Sequence, residues 1–291
     1  MPASRPRLLH KAATLDCDAL IVDLEDAVAT SIKDQARDNA REALGTIDYG
    51  SRLRALRVNG ADTPWHAADL RLVAEVCPDA VLLPKTDDAD ALRRLQDRLD
   101  ASGVPDSVRV WAMLETPAAV LSLDGFAVLG QQAGTRLSTL CVGSNDLALA
   151  ARLPATLAPD AVRQALQPWL CGFLAAARAG GLDLLDGVWN DFADADGFAH
   201  DCALSVGAGF DGRTLIHPCQ LAATHAAFTP DAEAVAQARR VVDAFADEAS
   251  AQLGVVALDG RMVERLHLQV AQRTLALSNR PPPGAATSSR G

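Results

Sequence analysis

The chain has 291 residues, 49% apolar and 22% charged, enough for one large domain with a small appendage, and this composition excludes wholesale disorder. A net charge of −10 argues against nucleic acid or an anionic membrane surface as the main partner. No apolar run reaches the ~18–20 residues that span a bilayer, so no membrane partner is expected either.

The elements follow in chain order. Arg5, Arg7 and Lys11 form a basic cluster ahead of the first apolar run. It reads either as a solvated helix face or as a clamp for phosphate groups on a substrate handle. The run ALIVDL from Ala19 ends on Asp23, with Glu25 and Asp26 just beyond. A helix is predicted over Lys33–Leu44, capped by Ser31. LRALRVN from Leu53 carries Arg57 and Asn59, and AVLLPK from Ala80 ends on Lys85. Asp87–Ala101 reads as a helix, with Leu92, Leu95 and Leu99 on one face. VRVWAMLE from Val108 ends on Glu115, and TLCVGSND from Thr139 ends on Asn145 and Asp146. Asp160–Gly180 is predicted helical, with a stripe of Val162, Leu166, Trp169, Phe173 and Ala177 and a stop at Gly180-Gly181. LDLLDGVW from Leu182 leads to Asn190 and Asp191, and FDGRTLIHP from Phe210 leads to His217.

These runs recur at roughly the 30 residues that a strand, a crossover helix and two turns require. They are apolar without alternation, as strands buried on both faces are. Seven βα units are visible, one short of a (β/α)₈ barrel. A doubly wound sheet is disfavoured, because no glycine-rich loop follows Asp23. Asp231–Gln252 and Gly260–Ser278 read as helices joined by Leu253–Asp259. The resulting division is a barrel over 1–228, a helical module over 229–279 and a disordered tail over 280–291. The six scattered cysteines (17, 77, 141, 171, 202 and 219), without a CxxC pair or a signal-peptide-like start, suit reduced thiols of a cytoplasmic protein.

Polar groups at the C-terminal strand ends would converge on one rim, the active-site face of a parallel barrel. Glu115 and Asp146, on neighbouring strand ends, suit Mg²⁺ or Mn²⁺, which take hard oxygen ligands and leave positions for substrate and water. Each also reads as an ordinary strand-end or N-cap acid. Arg57 suits a carboxylate or enolate oxygen, or equally a structural pair with Asp23 or Glu25. Lys85 reads as a Schiff-base lysine or as a partner of the rim acids. His200-x-Cys202 and His217-x-Cys219 are too irregular for a zinc motif, and Ser144 in VGSND is no nucleophile elbow.

The motifs DALIVDLEDAVA, LRVNGADTPW, AVLLPKTD, MLETPAAV, CVGSNDLA, DGVWNDFADADGF, GFDGRTLIHPCQ and LDGRMVERLHLQVAQRTL stand in this order. The chain thereby resembles the HpcH/HpaI aldolase–citrate lyase β-subunit family, on its malyl-CoA and citramalyl-CoA lyase side. The resemblance runs from about Met1 to Ser278. It implies a TIM-type barrel, a C-terminal helical lid, Mg²⁺, CoA-thioester substrates and homo-oligomers, trimers or hexamers, with the lid covering a neighbouring site. Position by position it implies Glu115 and Asp146 as metal ligands and Arg57 as the substrate-binding arginine. Arg7, Lys11, Thr214 and Leu215 match CoA-contacting positions. The sequence departs from the family twice. Members begin with a strand R-S-x-L-F-V-P-[GA], where this chain starts at Met1, so the first barrel strand is expected to be missing. The lid motif G-x-M-[IV]-D, whose Asp is the catalytic acid/base, here ends on Glu264.

The expected reaction is reversible carbon–carbon cleavage of a malyl-CoA-type 3-hydroxyacyl-CoA to an acyl-CoA and a 2-oxo acid. Glu264 is the candidate base and Arg57 the enolate stabiliser. Asp23, Glu25 and Asp26 are expected to hold metal-bound waters or Arg57. The alternatives are a thioesterase on the same thioester, or a citrate-lyase-type subunit that acts on an acyl carrier protein or is non-catalytic.

Overall fold

Each apolar run that ends in a polar group forms a strand. The computed structural model describes residues 1–246 and 254–278. Strands β1 (Ala19–Asp23), β2 (Leu53–Arg57), β3 (Ala80–Leu83), β4 (Arg109–Leu114), β5 (Leu137–Val142), β6 (Asp183–Asp186) and β7 (Gly212–Arg213) pair in parallel and in sequence order, making one curled sheet. Helices Lys33–Thr46, His66–Val76, Ala89–Ala101, Leu123–Gln131, Pro159–Gly180 and Ala195–Ala208 make the crossovers. The helix Ala89–Ala101 buries Leu92, Leu95 and Leu99, and the Asp88 carboxylate caps it by accepting the Ala91 N–H at 2.8 Å. The helix Pro159–Gly180 ends on Gly181, whose φ of 65° is the left-handed conformation that glycine adopts without strain.

The side-chain period of two decides what faces inward. Ala55, Ala80, Leu82, Trp111, Met113 and Cys141 fill the inner face of the sheet as one buried cluster. One further step along the same alternation brings Asp23 after Ile21, Arg57 after Ala55, Glu115 after Met113 and Gly143 after Cys141 to that face at the C-terminal rim. Asp23 and Arg57 are also direct partners in the β1–β2 register.

Several expectations are corrected. Ser31 does not cap the second helix; it lies in a 3₁₀ turn, Thr30–Ile32, and no side chain caps the helix that follows. Instead the buried Lys33 ammonium donates to the Leu24 and Glu25 carbonyls at 2.7 and 2.8 Å, anchoring the start of that helix to the loop after β1. No strand precedes β1 among the described residues, and Met1–Ala3 lie along its edge. Asp23 N–H donates to the Met1 carbonyl at 2.8 Å, Ala3 N–H donates to the Asp23 carbonyl at 2.9 Å, and Pro2 bridges Asp23 in parallel.

The described residues fall into two compact units, one from Met1 to Thr224 and one beginning at His225. In the second, the predicted helix over Asp231–Gln252 is observed as Ala232–Ala244, with Asp231 accepting the Ala234 N–H at 2.7 Å. The helix predicted over Gly260–Ser278 is in fact a strand and a helix. Strands β8 (Val255–Leu258) and β9 (Arg261–Glu264) form an antiparallel hairpin, and a helix spans Arg265–Ser278. Asp259 and Gly260 both have positive φ, 51° and 72°, as a two-residue hairpin turn demands. Residues 247–253 and the predicted tail 280–291 lie outside the described residues.

Candidate active site

The rim residues of the first unit form one connected polar group. Arg57 grips Asp23 with two parallel bonds, Nε to Oδ1 at 2.6 Å and Nη2 to Oδ2 at 2.7 Å. Its remaining nitrogen, Nη1, lies 3.2 Å from Glu25 Oε2 and 3.8 Å from the Met113 sulfur. The other Glu25 oxygen accepts from Lys85 Nζ at 2.8 Å, and Asp26, exposed, lies 3.5 Å from the same ammonium. The structural reading of Arg57 and the ion-pair reading of Lys85 are therefore both realised. Lys85 has a φ of 48°, a left-handed conformation that costs a lysine energy and marks functional loops. That twist lets its backbone N–H donate to Glu115 Oε1 at 2.7 Å while its ammonium holds Glu25.

Glu115 sits beneath the rim, 3% exposed. Gly143 has no side chain where one would collide with it: a Cβ there would stand 2.4 Å from Glu115 Oε2. Glu115 and Asp146 line one cavity of about 220 Å³ with Lys85, Thr116, Pro117, Leu149 and Ala150. Asp146 lies in the first turn of the helix Ser144–Ala150.

The electrostatics agree with a cation site. Burial, reinforced by the nearby charges of Asp146 and Glu25, pushes the Glu115 carboxyl up to about 7. Burial raises Glu25 as well, against the opposing pull of Lys85 and Arg57. Burial alone would raise Asp23 too, but the Arg57 bonds and the Glu25 N–H hold it below the usual carboxylate range. A buried carboxylate raised by its neighbours' negative charge, with a second carboxylate beside it, is a hard-oxygen donor set short of positive charge, which fits Mg²⁺. Among the described residues, no three His, Cys, Asp or Glu side chains converge as around a fully protein-ligated ion. A Glu115–Asp146 pair leaves the other positions to substrate and water, and zinc at His200 or His217 has no third ligand.

The other predicted residues are distributed as follows. Arg7 and Lys11 are exposed, four residues apart on the helix Pro6–Ala12, and so share one face. Thr214 is buried, its hydroxyl donating to the Asp186 carbonyl at 3.2 Å, so its side chain is committed to the sheet; Leu215 is half-buried. Glu264 belongs to the second unit, closes β9, and donates its backbone N–H to His267 Nδ1 at 3.0 Å. Sequence reasoning missed Gly143 and the left-handed Lys85. The first was discoverable as a glycine two residues past an inward cysteine.

Asp23→Asn should keep the shape of its site while removing one of the two charges facing Arg57. Loss of one partner from a buried pair costs about 3 kcal/mol, read as a lower urea midpoint with an unchanged slope. Because folding depresses the Asp23 pKa, its contribution is complete above about pH 4 and is lost as pH falls through its folded value. Wild type and variant should therefore converge at acid pH. Equal midpoints at pH 7 would show that the pair contributes nothing.

Comparison with known proteins is consistent with this geometry. The model of the HpcH/HpaI aldolase/citrate lyase family matches residues 1–218. A (3S)-malyl-CoA thioesterase of Cereibacter sphaeroides is 43% identical over 276 residues, covering 95% of this chain and 92% of its own. An L-malyl-CoA/beta-methylmalyl-CoA lyase of the same species is 31% identical, covering 93% and 90%. Among solved structures, the Mycobacterium tuberculosis protein CitE, in complex with magnesium, acetoacetate and coenzyme A, matches with a TM-score of 0.78 at 29% identity, covering 96% of each chain.

Proposed function

The chain belongs to the HpcH/HpaI aldolase/citrate lyase family of carbon–carbon lyases, and from that premise we propose that it is a Mg²⁺-dependent CoA-ester lyase acting on a malyl-CoA-type 3-hydroxyacyl-CoA. The observation that carries this reading is the cavity that Glu115 and Asp146 share beside a clamped Arg57. Glu115 and Asp146 would hold the ion, which would supply electrophilic polarisation to the substrate there. Glu264 takes the hydroxyl proton. The bond between the carbinol carbon and the acyl α-carbon breaks, the carbinol becomes the 2-oxo acid, and the electron pair passes to the thioester as an enolate. The enolate α-carbon then takes a proton, so that the two products together leave with as many protons as the substrate brought. Arg57, fixed by Asp23, presents Nη1 to that oxyanion. Arg7 and Lys11 face the phosphates of the CoA handle. The second unit of one copy covers the mouth of a neighbouring copy in a homo-oligomer.

A second reading is hydrolysis of the same thioester. It is favoured by the 42–43% identity to malyl-CoA thioesterases, against 29–31% to the malyl-CoA lyases. One incubation separates the two. Purified protein with Mg²⁺ and (3S)-malyl-CoA is expected to yield acetyl-CoA and glyoxylate. Free malate with CoA would establish the thioesterase instead. No turnover would overturn both and favour a subunit that acts on an acyl carrier protein or is non-catalytic.

A further inference from the structure

A buried ionic cluster ties the C-terminal ends of β6 and β7 to the helices Pro159–Gly180 and Ala195–Ala208. Arg163 bridges Asp186 and Asp201 at 2.8 and 3.0 Å, and Arg213 pairs with Asp201 at 2.8 Å. The Arg213 side chain is 1% exposed, and its Nε, like Arg163 Nη2, has no hydrogen-bond partner. Unspent buried donors cost stability, and a buried ionic cluster is a poor source of it. What the cluster does fix is one peptide segment. Both backbone polar atoms of Gly187 are held: its N–H donates to Asp186 Oδ1 at 2.8 Å, and its carbonyl accepts from Arg213 Nη2 at 2.9 Å.

Gly187 in turn abuts the helix that carries Asp146. A Cβ on Gly187 would stand 2.5 Å from Ser144 Oγ and 2.7 Å from Ser144 Cβ. Three residues on, Asn190 and Asn145 exchange amide hydrogen bonds at 2.7 and 3.3 Å. The segment Gly187–Asn190 is thus braced against Ser144 and Asn145, the two residues before Asp146.

We propose that Gly187 and Asn190, anchored by Arg213 and Asp186, are positioning residues for Asp146: they set the first turn of the helix Ser144–Ala150 and thereby the metal affinity of the site. This rests on the reading of Asp146 as a metal ligand. Gly187 does not have a positive φ, so an alanine there acts through its methyl group and not through backbone strain.

The test is Mn²⁺ binding to the full chain, read from the spectrum of free Mn²⁺ by electron paramagnetic resonance, alongside the melting temperature. Gly187→Ala is expected to weaken binding about tenfold, the lower end of what residues that orient metal ligands contribute. Adding Ser144→Gly removes the atoms the methyl group meets and should restore affinity to within about twofold of Ser144→Gly alone. Asn190→Ala, at an exposed position, should likewise weaken binding about tenfold without lowering the melting temperature. Unchanged affinity in folded Gly187→Ala, or a loss that Ser144→Gly leaves uncorrected, overturns the proposal. Should Gly187→Ala fail to fold, Asn190→Ala decides, and wild-type affinity there overturns it. Asp146→Asn with undiminished Mn²⁺ binding removes the metal-ligand reading and this inference with it. Lost binding in Asp146→Asn beside normal binding in Gly187→Ala overturns this inference alone.

Discussion

Glu115→Gln is expected to fold and to lose about a thousandfold of its Mg²⁺-dependent turnover. The ion supplies several kcal/mol of charge stabilisation in this kind of chemistry, and each 1.36 kcal/mol is a factor of ten in rate. Gln keeps the volume beside Gly143 but offers no negative charge. Asp146→Asn should behave alike. The Glu115 carboxyl is raised to about 7 by burial first, then by Asp146 and Glu25. Without metal, the stability linked to its proton is complete below the unfolded value of about 4.3 and is lost as pH rises to about 7. In metal-free buffer at pH 8 the Gln variant should therefore be at least as stable as wild type, while at pH 4 the two should match. Mg²⁺ added to wild type near pH 7 should release protons, and Mg²⁺ added to Glu115→Gln should release fewer. Full wild-type activity in excess chelator would remove the metal from the mechanism.

Glu264→Gln is expected to lower kcat by ~10²–10⁴, the usual cost of losing a general base, with little change in KM. The side chain keeps its length and its hydrogen-bonding groups but can no longer take the hydroxyl proton. Glu264→Asp draws the carboxylate back by one methylene and should retain activity or change the ratio of acetyl-CoA to malate. If the base of one copy serves the metal pair of another, mixed oligomers of Glu264→Gln and Arg57→Ala should regain activity, because some sites then hold both wild-type residues. Unchanged kcat in Glu264→Gln would exclude this residue as the base.

The barrel strands were legible because each is a short apolar run closed by a polar group, a pattern that burial on both faces imposes. Every predicted start lies within two residues of the observed one. Asp23, Arg57 and Glu115 could be placed on one rim from strand ends alone. The hairpin at Asp259-Gly260 was split between a connection ending at Asp259 and a helix starting at Gly260, although Asp-Gly between short apolar runs is a strong hairpin signal; the helical run after Arg265 hid it. The Ser31 cap failed because Ser31 lies inside a 3₁₀ turn, and the start of the helix is held instead by the Lys33 ammonium, which turns in to two carbonyls. Thr214, placed by the resemblance in a CoA-contacting segment, follows β7 and gives its hydroxyl to the Asp186 carbonyl of β6, a bond no motif encodes. The Arg213 network was not visible at all, since its members lie on β6, β7 and two helices whose packing no local pattern encodes.

The order of the sheet bears on how the protein is made. Each strand pairs with the one translated just before it, so a nascent chain can add βα units one at a time to a sheet already begun, with the N-terminal units folding first during synthesis. Glu115 and Asp146 emerge from the ribosome well before Arg213, on the two-residue strand β7 that is the last of the parallel sheet. A ribosome-bound chain stalled before residue 213 should therefore expose both carboxylates in a sheet whose Gly187 brace is unfinished. Full metal affinity would then arrive late in synthesis, with the seventh strand.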